Sequence, residues 1–203
     1  MNEDGKRLEQ NGSAPGAKEK WTLKRFWKEW REVIIILAVV FVVFKFILQI
    51  AWVPSGSMEM TLPTKSVLLG WHLPYLVSDP VPQRGEIVTF WNDELNTVLV
   101  KRVVGLPGDE ISFSGGFVYI NGEKQAEEYL PAQGITDCDS TFQVPEGCFF
   151  AMGDNRTGSY DSREWDNPYV PIKNIQAHPF VVVSIGSGHS WQGVRLIRQG
   201  GDS

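Results

Sequence analysis

The longest apolar run in the chain reads VIIILAVVFVVFKFILQIAW, and it extends from Val33 to Trp52 with interruptions only at Lys45 and Gln49. A transmembrane helix needs about 20 residues that are mostly apolar, and this run reaches that length. Lys45 lies in its second half, where a long basic side chain can reach the water interface. The pattern therefore predicts a single transmembrane helix over residues 32–52.

The residues before this run are polar and basic. Five basic side chains and one acidic side chain occupy positions 20–31, and a basic flank is typical of the cytoplasmic end of a membrane helix. We therefore expect a basic, disordered cytoplasmic segment over 1–31 and a domain outside the cytoplasm over 53–203. The alternative is a cleavable secretory signal, whose apolar core has about 7–15 residues. The longer run favours a retained anchor.

Beyond the anchor, short segments rich in β-branched and aromatic residues alternate with turn signals. The Asn121–Gly122 dipeptide is a strong signal for a tight turn. This alternation predicts a mostly β domain, built as a folded sheet or a barrel-like structure. The predicted strand regions are EIVTFW (86–91), TVLVKRVVG (97–105), DEISFSGGFVYING (109–122) and PFVVVSI (179–185).

Charge is divided unevenly along the chain. Residues 1–52 carry nine basic and six acidic side chains, whereas residues 53–203 carry ten basic and eighteen acidic ones. An acidic outer domain argues against a nucleic-acid partner, which requires clustered Lys and Arg. Cys138 and Cys148 lie in that domain, and their spacing favours a disulfide over a metal site because no further Cys or His completes a ligand set. Two free cysteines are the alternative.

Two serines follow the anchor directly, in the segment WVPSGSMEM (52–60). A serine hydroxyl is a weak nucleophile until a base removes its proton. The histidines of the chain, His72, His178 and His189, have no evident acidic neighbour that would orient the ring. We therefore interpret each of them as a structural or surface residue, and the search for a base turns to lysine.

Lys101 is the candidate base. In TVLVKRVVG the two-residue period of a strand places Lys101 on one face with Leu99 and Val103, and Arg102 on the other. Apolar surroundings would lower the pKa of a lysine toward neutrality, as a general base requires. The alternative is a Lys-Arg pair that faces solvent from an edge strand.

The segment AMGDNRTGSYDSREW (151–165) places small, polar and charged residues after an apolar strand. One interpretation is a turn in which carboxylates such as Asp154 and Asp161 bind backbone amides. The other is a loop that returns to the active site. Ser159 would then orient the lysine, and an Asp161–Arg163 pair would brace the loop.

Three segments in this order, PSGSM (54–58), KRVVGLPGDEI (101–111) and GDNRTGSYDSR (153–163), resemble the signature boxes of type I signal peptidases, the Ser/Lys leader peptidase family. The preceding anchor also fits that family, and the resemblance covers nearly all of residues 20–185. One box alone would be a weak signal, but three in order are specific. Met60 departs from the family pattern, which has a proline at that position.

The resemblance implies a membrane-bound serine endopeptidase that uses a Ser/Lys dyad and needs no metal or organic cofactor. Ser57 would be the nucleophile and Lys101 the general base. The Ser57 backbone N–H and the Ser55 hydroxyl would form the oxyanion hole, and Ser159 would orient Lys101. The resemblance also implies supporting roles for Asp154, Asp161 and Arg163, and a substrate groove shaped by Gly56 and Met58.

The resemblance further implies the substrates and the location. The substrates would be secreted preproteins that emerge from the export machinery, cut after small residues at positions −1 and −3. The enzyme would lie in the cytoplasmic membrane, in contact with the lipid bilayer, with its catalytic domain outside the cytoplasm. Two alternatives remain open: a specialised Ser/Lys peptidase that matures a pilin or conjugation component, and a catalytically silent, membrane-tethered binding domain.

Overall fold

The computed structural model describes residues 23–77, 80–130, 132–184, 193–197 and 200. These residues divide into a first compact unit that ends at Val39 and a second that begins at Val40. Most of the predicted cytoplasmic segment over 1–31 therefore lies outside the described residues, as does His189.

Strands dominate the described chain, so the predicted mostly β architecture is confirmed. The helical elements are α1 (Leu23–Val42), a π-helical turn (Val43–Ile47), α2 (Leu73–Val77) and two 3-10 turns (Gly56–Met58 and Ile172–Asn174). The strands are β1 (Leu48–Val53), β2 (Ser66–Trp71), β3 (Ile87–Asn92), β4 (Thr97–Gly105), β5 (Glu110–Ser114), β6 (Phe117–Ile120), β7 (Glu123–Lys124), β8 (Phe142–Gln143), β9 (Cys148–Met152), β10 (Val170–Pro171), β11 (Ile175–Ser184) and β12 (Gly193–Leu196).

The apolar run predicted as one helix over 32–52 is divided between two kinds of structure. Helix α1 ends at Val42, and Leu48–Val53 instead forms strand β1. The backbone of β1 pairs with β2 from Leu48 opposite Trp71 to Val53 opposite Ser66, which satisfies its polar groups without a helix. Among the residues the structure describes, no helix is both long and apolar enough to span a membrane.

The strands form two antiparallel sheets. The larger sheet has the order β1-β2-β11-β3-β4-β9-β10, with β12 also paired to β11, and the smaller has the order β7-β6-β5-β8. The predicted turn at Asn121–Gly122 joins β6 to β7, with Ile120 opposite Glu123. Both turn residues have positive φ, as a two-residue hairpin turn requires.

Strand β4 lies between two other strands and carries the basic pair that the sequence singled out. It pairs with β3 from Thr97 to Arg102 and with β9 from Arg102 onward. Lys101 and Arg102 are 2% and 0% exposed, so the alternative in which this pair faces solvent is wrong. On the Lys101 face, Val103 packs in one apolar cluster with Phe90 and Phe149.

Cys138 and Cys148 are both free thiols, so the disulfide that their spacing favoured is not formed. Cys148 is the first residue of β9 and pairs with Pro171 of β10 in the larger sheet. Burial raises the pKa of the Cys148 thiol, which keeps this side chain protonated at neutral pH.

Candidate active site

The serine pair lies on a short turn that one buried side chain fixes. Ser57 is in the 3-10 turn Gly56–Met58, which begins three positions after the end of β1, and Ser55 precedes the turn in an extended conformation. Met58 is 1% exposed and packs with Leu62 in the core. The side chain of Ser55 is more exposed than that of Ser57, and their Oγ atoms are 3.3 Å apart. Burial of Met58 therefore holds two hydroxyls side by side at the surface.

These hydroxyls open onto a groove of about 260 Å³ between β1 and β4. Val53 and Met58 line it near the serines, and Val98–Val100 line it from β4. Gly56 is not part of the lining. Its carbonyl instead accepts a hydrogen bond from Nδ2 of Asn155, at 3.0 Å. The turn is thus tied through its backbone to the polar loop that follows β9.

Lys101 is buried, and within the described residues its side chain makes one hydrogen bond. Its Nζ donates to Oγ of Ser159 at 2.8 Å and forms no hydrogen bond with Ser57. Burial lowers the pKa of Lys101 to about 8, although the nearby Asp161 carboxylate opposes that shift. A substantial fraction of this lysine is therefore neutral near pH 8, as a base requires.

Gly153 is the point at which the serine turn meets the loop that holds Lys101. A Cβ at this position would lie within 3.0 Å of the Ser57 carbonyl oxygen and of Oγ of Ser159. Two residues later, the N–H of Asn155 donates to that same Ser57 carbonyl at 3.0 Å. Only a residue without a side chain permits this approach, so Gly153 brings Ser57 close to the hydrogen-bond partner of Lys101.

Asp161 and Arg163, the two residues expected to brace this loop, form an ion pair. Nε of Arg163 donates to Asp161 Oδ1 at 2.8 Å, and Nη2 donates to Oδ2 at 2.9 Å. Asp161 also accepts the N–H of Gly153 at 2.9 Å. Burial alone would raise the pKa of Asp161, but these hydrogen bonds, the charge of Arg163 and a hydrogen bond from Ser159 lower it overall. Asp161 is therefore an anion that fixes both ends of the loop.

Asp154 has a partner that the sequence did not identify. Nε and Nη2 of Arg102 donate to its two carboxylate oxygens at 2.8 and 2.6 Å, and both side chains are fully buried. Thr61 also donates to Asp154, and the Arg102 guanidinium lies 3.9 Å from the centre of the Tyr129 ring. Strand alternation had already placed Arg102 on the face of β4 opposite to Lys101. That was the only feature of the sequence that could have pointed to a separate partner for Arg102.

A second buried ion pair, absent from the sequence prediction, links this loop to the segment after β7. Arg156 donates to both oxygens of Glu127, at 2.8 and 2.6 Å, and also to Thr136. Its Nε donates to the Gly153 carbonyl at 3.0 Å. Gly153, which lies between the serine turn and Ser159, is therefore hydrogen-bonded through its N–H to Asp161 and through its carbonyl to Arg156.

The histidines in the described residues bind other groups. Nδ1 of His72 contacts the Gln176 carbonyl, and Nδ1 of His178 contacts the Glu86 carboxylate. Neither histidine contacts Ser57, which agrees with their interpretation as structural residues. Within the described ranges, no group of three or more Cys, His, Asp or Glu side chains could hold a metal ion.

Comparison with known proteins places the chain in a family. The family model described as "Signal peptidase, peptidase S26" matches residues 27–184. A signal peptidase I from Bacillus amyloliquefaciens is 38% identical, over 72% of this chain and 82% of the relative. A probable signal peptidase I-2 from Synechocystis is 35% identical over 67% of this chain, and a signal peptidase I from Pseudomonas fluorescens is 33% identical over the same share.

The chain spans 63% of the length of the Synechocystis relative and 62% of that from Pseudomonas fluorescens. A solved structure of a signal peptidase I from Enterococcus faecalis is 30% identical, over 50% of this chain and 98% of that one, with a TM-score of 0.44. Because the family model matches well over half of its residues, the chain belongs to the signal peptidase family, peptidase S26.

Proposed function

We propose that this protein is a serine endopeptidase that removes N-terminal signal peptides from exported preproteins, with Ser57 as nucleophile and Lys101 as general base. One observation carries the proposal: a buried lysine with a pKa of about 8 is hydrogen-bonded to the loop that contacts the serine turn. A lysine in water has a pKa of about 10.4, so at pH 8 it would be almost fully protonated and could not accept a proton.

The proposed reaction passes through an acyl-enzyme. Neutral Lys101 accepts the proton of Ser57 as Oγ bonds to the substrate carbonyl carbon, and it then gives that proton to the leaving amine as the C–N bond breaks. Lys101 next takes a proton from the water that attacks the ester carbon, and it gives this proton to Oγ of Ser57 as the ester C–O bond breaks, which restores neutral Lys101 and free Ser57. Every proton is carried by these two residues and water, so the mechanism uses no metal or organic cofactor.

Two donors near Ser57 would stabilise the oxyanion. These are the Ser57 backbone N–H and the Ser55 hydroxyl, whose oxygen is 3.3 Å from that of Ser57. Loss of one oxyanion donor commonly costs about 10²–10³ in rate.

Lys101 donates to Ser159 in the free protein, and catalytic hydrogen bonds often form only once substrate is bound. Ser159 is therefore a positioning residue for Lys101.

An extended substrate fits the groove between β1 and β4. Strand β1 is at the edge of the larger sheet, and β4 pairs with β9 only from Arg102 onward. Among the described residues, the backbone of 97–101 thus has one unpaired side, and a peptide can add there as a further strand. Apolar walls at Val53, Met58 and Val100 favour uncharged side chains in the groove, and the preference for small residues at positions −1 and −3 is carried over from the signal peptidase family.

We place the protein in the cytoplasmic membrane, where it acts on preproteins as they leave the export machinery. Residues 1–31 are on the cytoplasmic side, the helical part of the apolar run, up to Ile47, contributes the membrane anchor, and the peptidase domain outside begins with β1 at Leu48. The basic flank supports this orientation. Exposed apolar side chains on α1, such as Leu37 and Phe41 at 62% and 66%, support contact with lipid.

The test is cleavage of a purified preprotein by the detergent-solubilised chain, with mass spectrometry of both products. We expect one cut after a small-X-small sequence, and no cut by Ser57→Ala or Lys101→Ala. Thr157→Ala is the matched control, because this exposed residue of the same loop makes none of the contacts described above. Failure of the wild type on several preproteins, or full activity of Ser57→Ala, would refute the proposal.

A further inference from the structure

Gln49 interrupts the apolar run of the sequence, and its side chain lies inside the substrate groove. Along β1, Ile50 and Trp52 are 59% and 53% exposed, whereas Gln49, Ala51 and Val53 face the other way. The alternation of a strand makes these three residues one row, ordered away from the serine turn. A polar side chain thus ends a row that begins with an apolar one.

A hydrogen-bonded chain holds Gln49 in place. Oγ1 of Thr89, on β3, donates to Oε1 of Gln49 at 2.6 Å. Nε2 of Gln49 then donates to Oε1 of Gln176, on β11, at 3.0 Å. Thr89 is fully buried, so the chain is anchored in the core and ends at the groove. The hydrogen bond that Oε1 of Gln176 accepts from Gln49 therefore fixes the orientation of the Gln176 amide.

The Nε2 group of Gln176 is left with unused donors. No acceptor in the described part of the chain receives a hydrogen bond from this nitrogen, and Gln176 lines the groove beside Gln49. An amide brings two N–H groups, which are open to water in the free protein, and a substrate that displaces this water without offering an acceptor leaves them unpaired at a cost in free energy. The far end of the groove is therefore prepared for a hydrogen-bond acceptor.

The spacing of the row matches alternate residues of an extended substrate. Each step of two residues along a strand advances about 6.6 Å in both the enzyme and the bound peptide. If the −1 side chain lies beside Val53, the −3 side chain lies beside Ala51 and the −5 side chain beside Gln49. Positions −4 and −6 point away from this row.

We propose that Gln49 and Gln176 form a polar subsite for position −5 of the substrate, which selects a side chain with a hydrogen-bond acceptor, such as Gln, Asn, Ser or Thr. This inference rests on the proposed peptidase function and adds a requirement several residues before the cut. A substrate with Gln at −5 gains a hydrogen bond with Gln176, whereas one with Met, of similar length, leaves the donors unpaired.

The experiment compares preproteins that differ only at −5, with Gln or Met, and measures kcat/KM for the solubilised full chain. We expect wild type to favour Gln by about three- to tenfold, the range of one hydrogen bond. Gln176→Met should lose this preference and still cut the Met substrate, which reports that the variant is folded. Gln49→Met, which removes the partner that orients Gln176, should reduce the preference in the same direction.

Two controls isolate the subsite. Gln83→Met changes an exposed glutamine outside the groove and should keep the wild-type preference. The same Gln/Met exchange at −4 should change kcat/KM little. Equal cleavage of both −5 substrates by wild type, or a preference that survives in both variants, would overturn the subsite and leave the peptidase intact. If wild type cuts neither substrate nor any other preprotein, the proposed function itself fails and the subsite fails with it.

Discussion

Substitution of Ser159 by Ala tests how the structure prepares Lys101. Nζ of Lys101 donates to Ser159 at 2.8 Å, and burial lowers the pKa of Lys101 to about 8. If neutral Lys101 is the base, kcat/KM rises with pH about that midpoint. The neutral fraction is about one tenth at pH 7 and about nine tenths at pH 9.

The hydrogen bond to Ser159 favours the protonated lysine. A hydrogen bond from a charged donor is worth about 1.5–3 kcal/mol, against about 0.5–1.5 for a neutral one, so the difference is about 1 kcal/mol. Its loss should move the midpoint of the pH profile about 0.7 pH toward acid, since one pKa unit is about 1.4 kcal/mol. The plateau at high pH should also fall, because Ser159 no longer fixes the position of the Lys101 amine.

The assay is kcat/KM for one preprotein peptide between pH 6 and 10, for wild type, Ser159→Ala and the control Thr157→Ala. A lower plateau together with an acid shift supports the account, because a merely unstable variant would lose rate without moving the midpoint. A midpoint near pH 6.5 in wild type would instead indicate a histidine base. A shift of the variant toward alkaline pH would refute the assigned role of Ser159.

Three further predictions concern stability and geometry. Lys101 binds its proton up to about pH 10.5 in the unfolded chain but only to about 8 in the folded protein. Its burial therefore costs up to about 3 kcal/mol below pH 8, and this cost fades as pH rises to 10.5. Lys101→Met should thus raise the free energy of unfolding in urea at pH 7, and no gain there would contradict the sign. Gly153→Ala should lower kcat/KM about 100-fold through its clash with Ser159, and wild-type kinetics would show that the close approach is unimportant. Asp154→Ala should lose about 3–5 kcal/mol in thermal unfolding, because it leaves Arg102 buried and unpaired. A double variant, Arg102→Met with Asp154→Leu, should recover most of that loss.

The sequence predicted best where one local rule was sufficient. The two-residue period of β4 placed Lys101 on an apolar face, and the hairpin at Asn121–Gly122 followed from its dipeptide. The run over 32–52 was harder, because its total length favoured one helix, whereas periodicity does not distinguish a strand from a helix in a short apolar stretch such as 48–53. Its last residues became β1 because β2 supplies a partner, and that partner lies more than ten residues farther along the chain.

The parts of the site that the sequence missed depend on contacts between distant segments. Arg102 meets Asp154 across 52 positions, and Arg156 meets Glu127 across 29. No spacing rule links these pairs, since each forms only after the sheets have assembled. Gln49 was visible as an interruption in the apolar run, but its direction became clear only when β1 was seen to be a strand.

The most direct test of the Ser/Lys account is to trap the acyl-enzyme. The full chain is treated with a serine-acylating electrophile, and the modified residue is located by mass spectrometry of peptides. The account predicts a single adduct on Ser57 that forms faster from pH 7 to pH 9 and is lost in Lys101→Ala. An adduct on another residue, or labelling of Lys101→Ala at the wild-type rate, would contradict it.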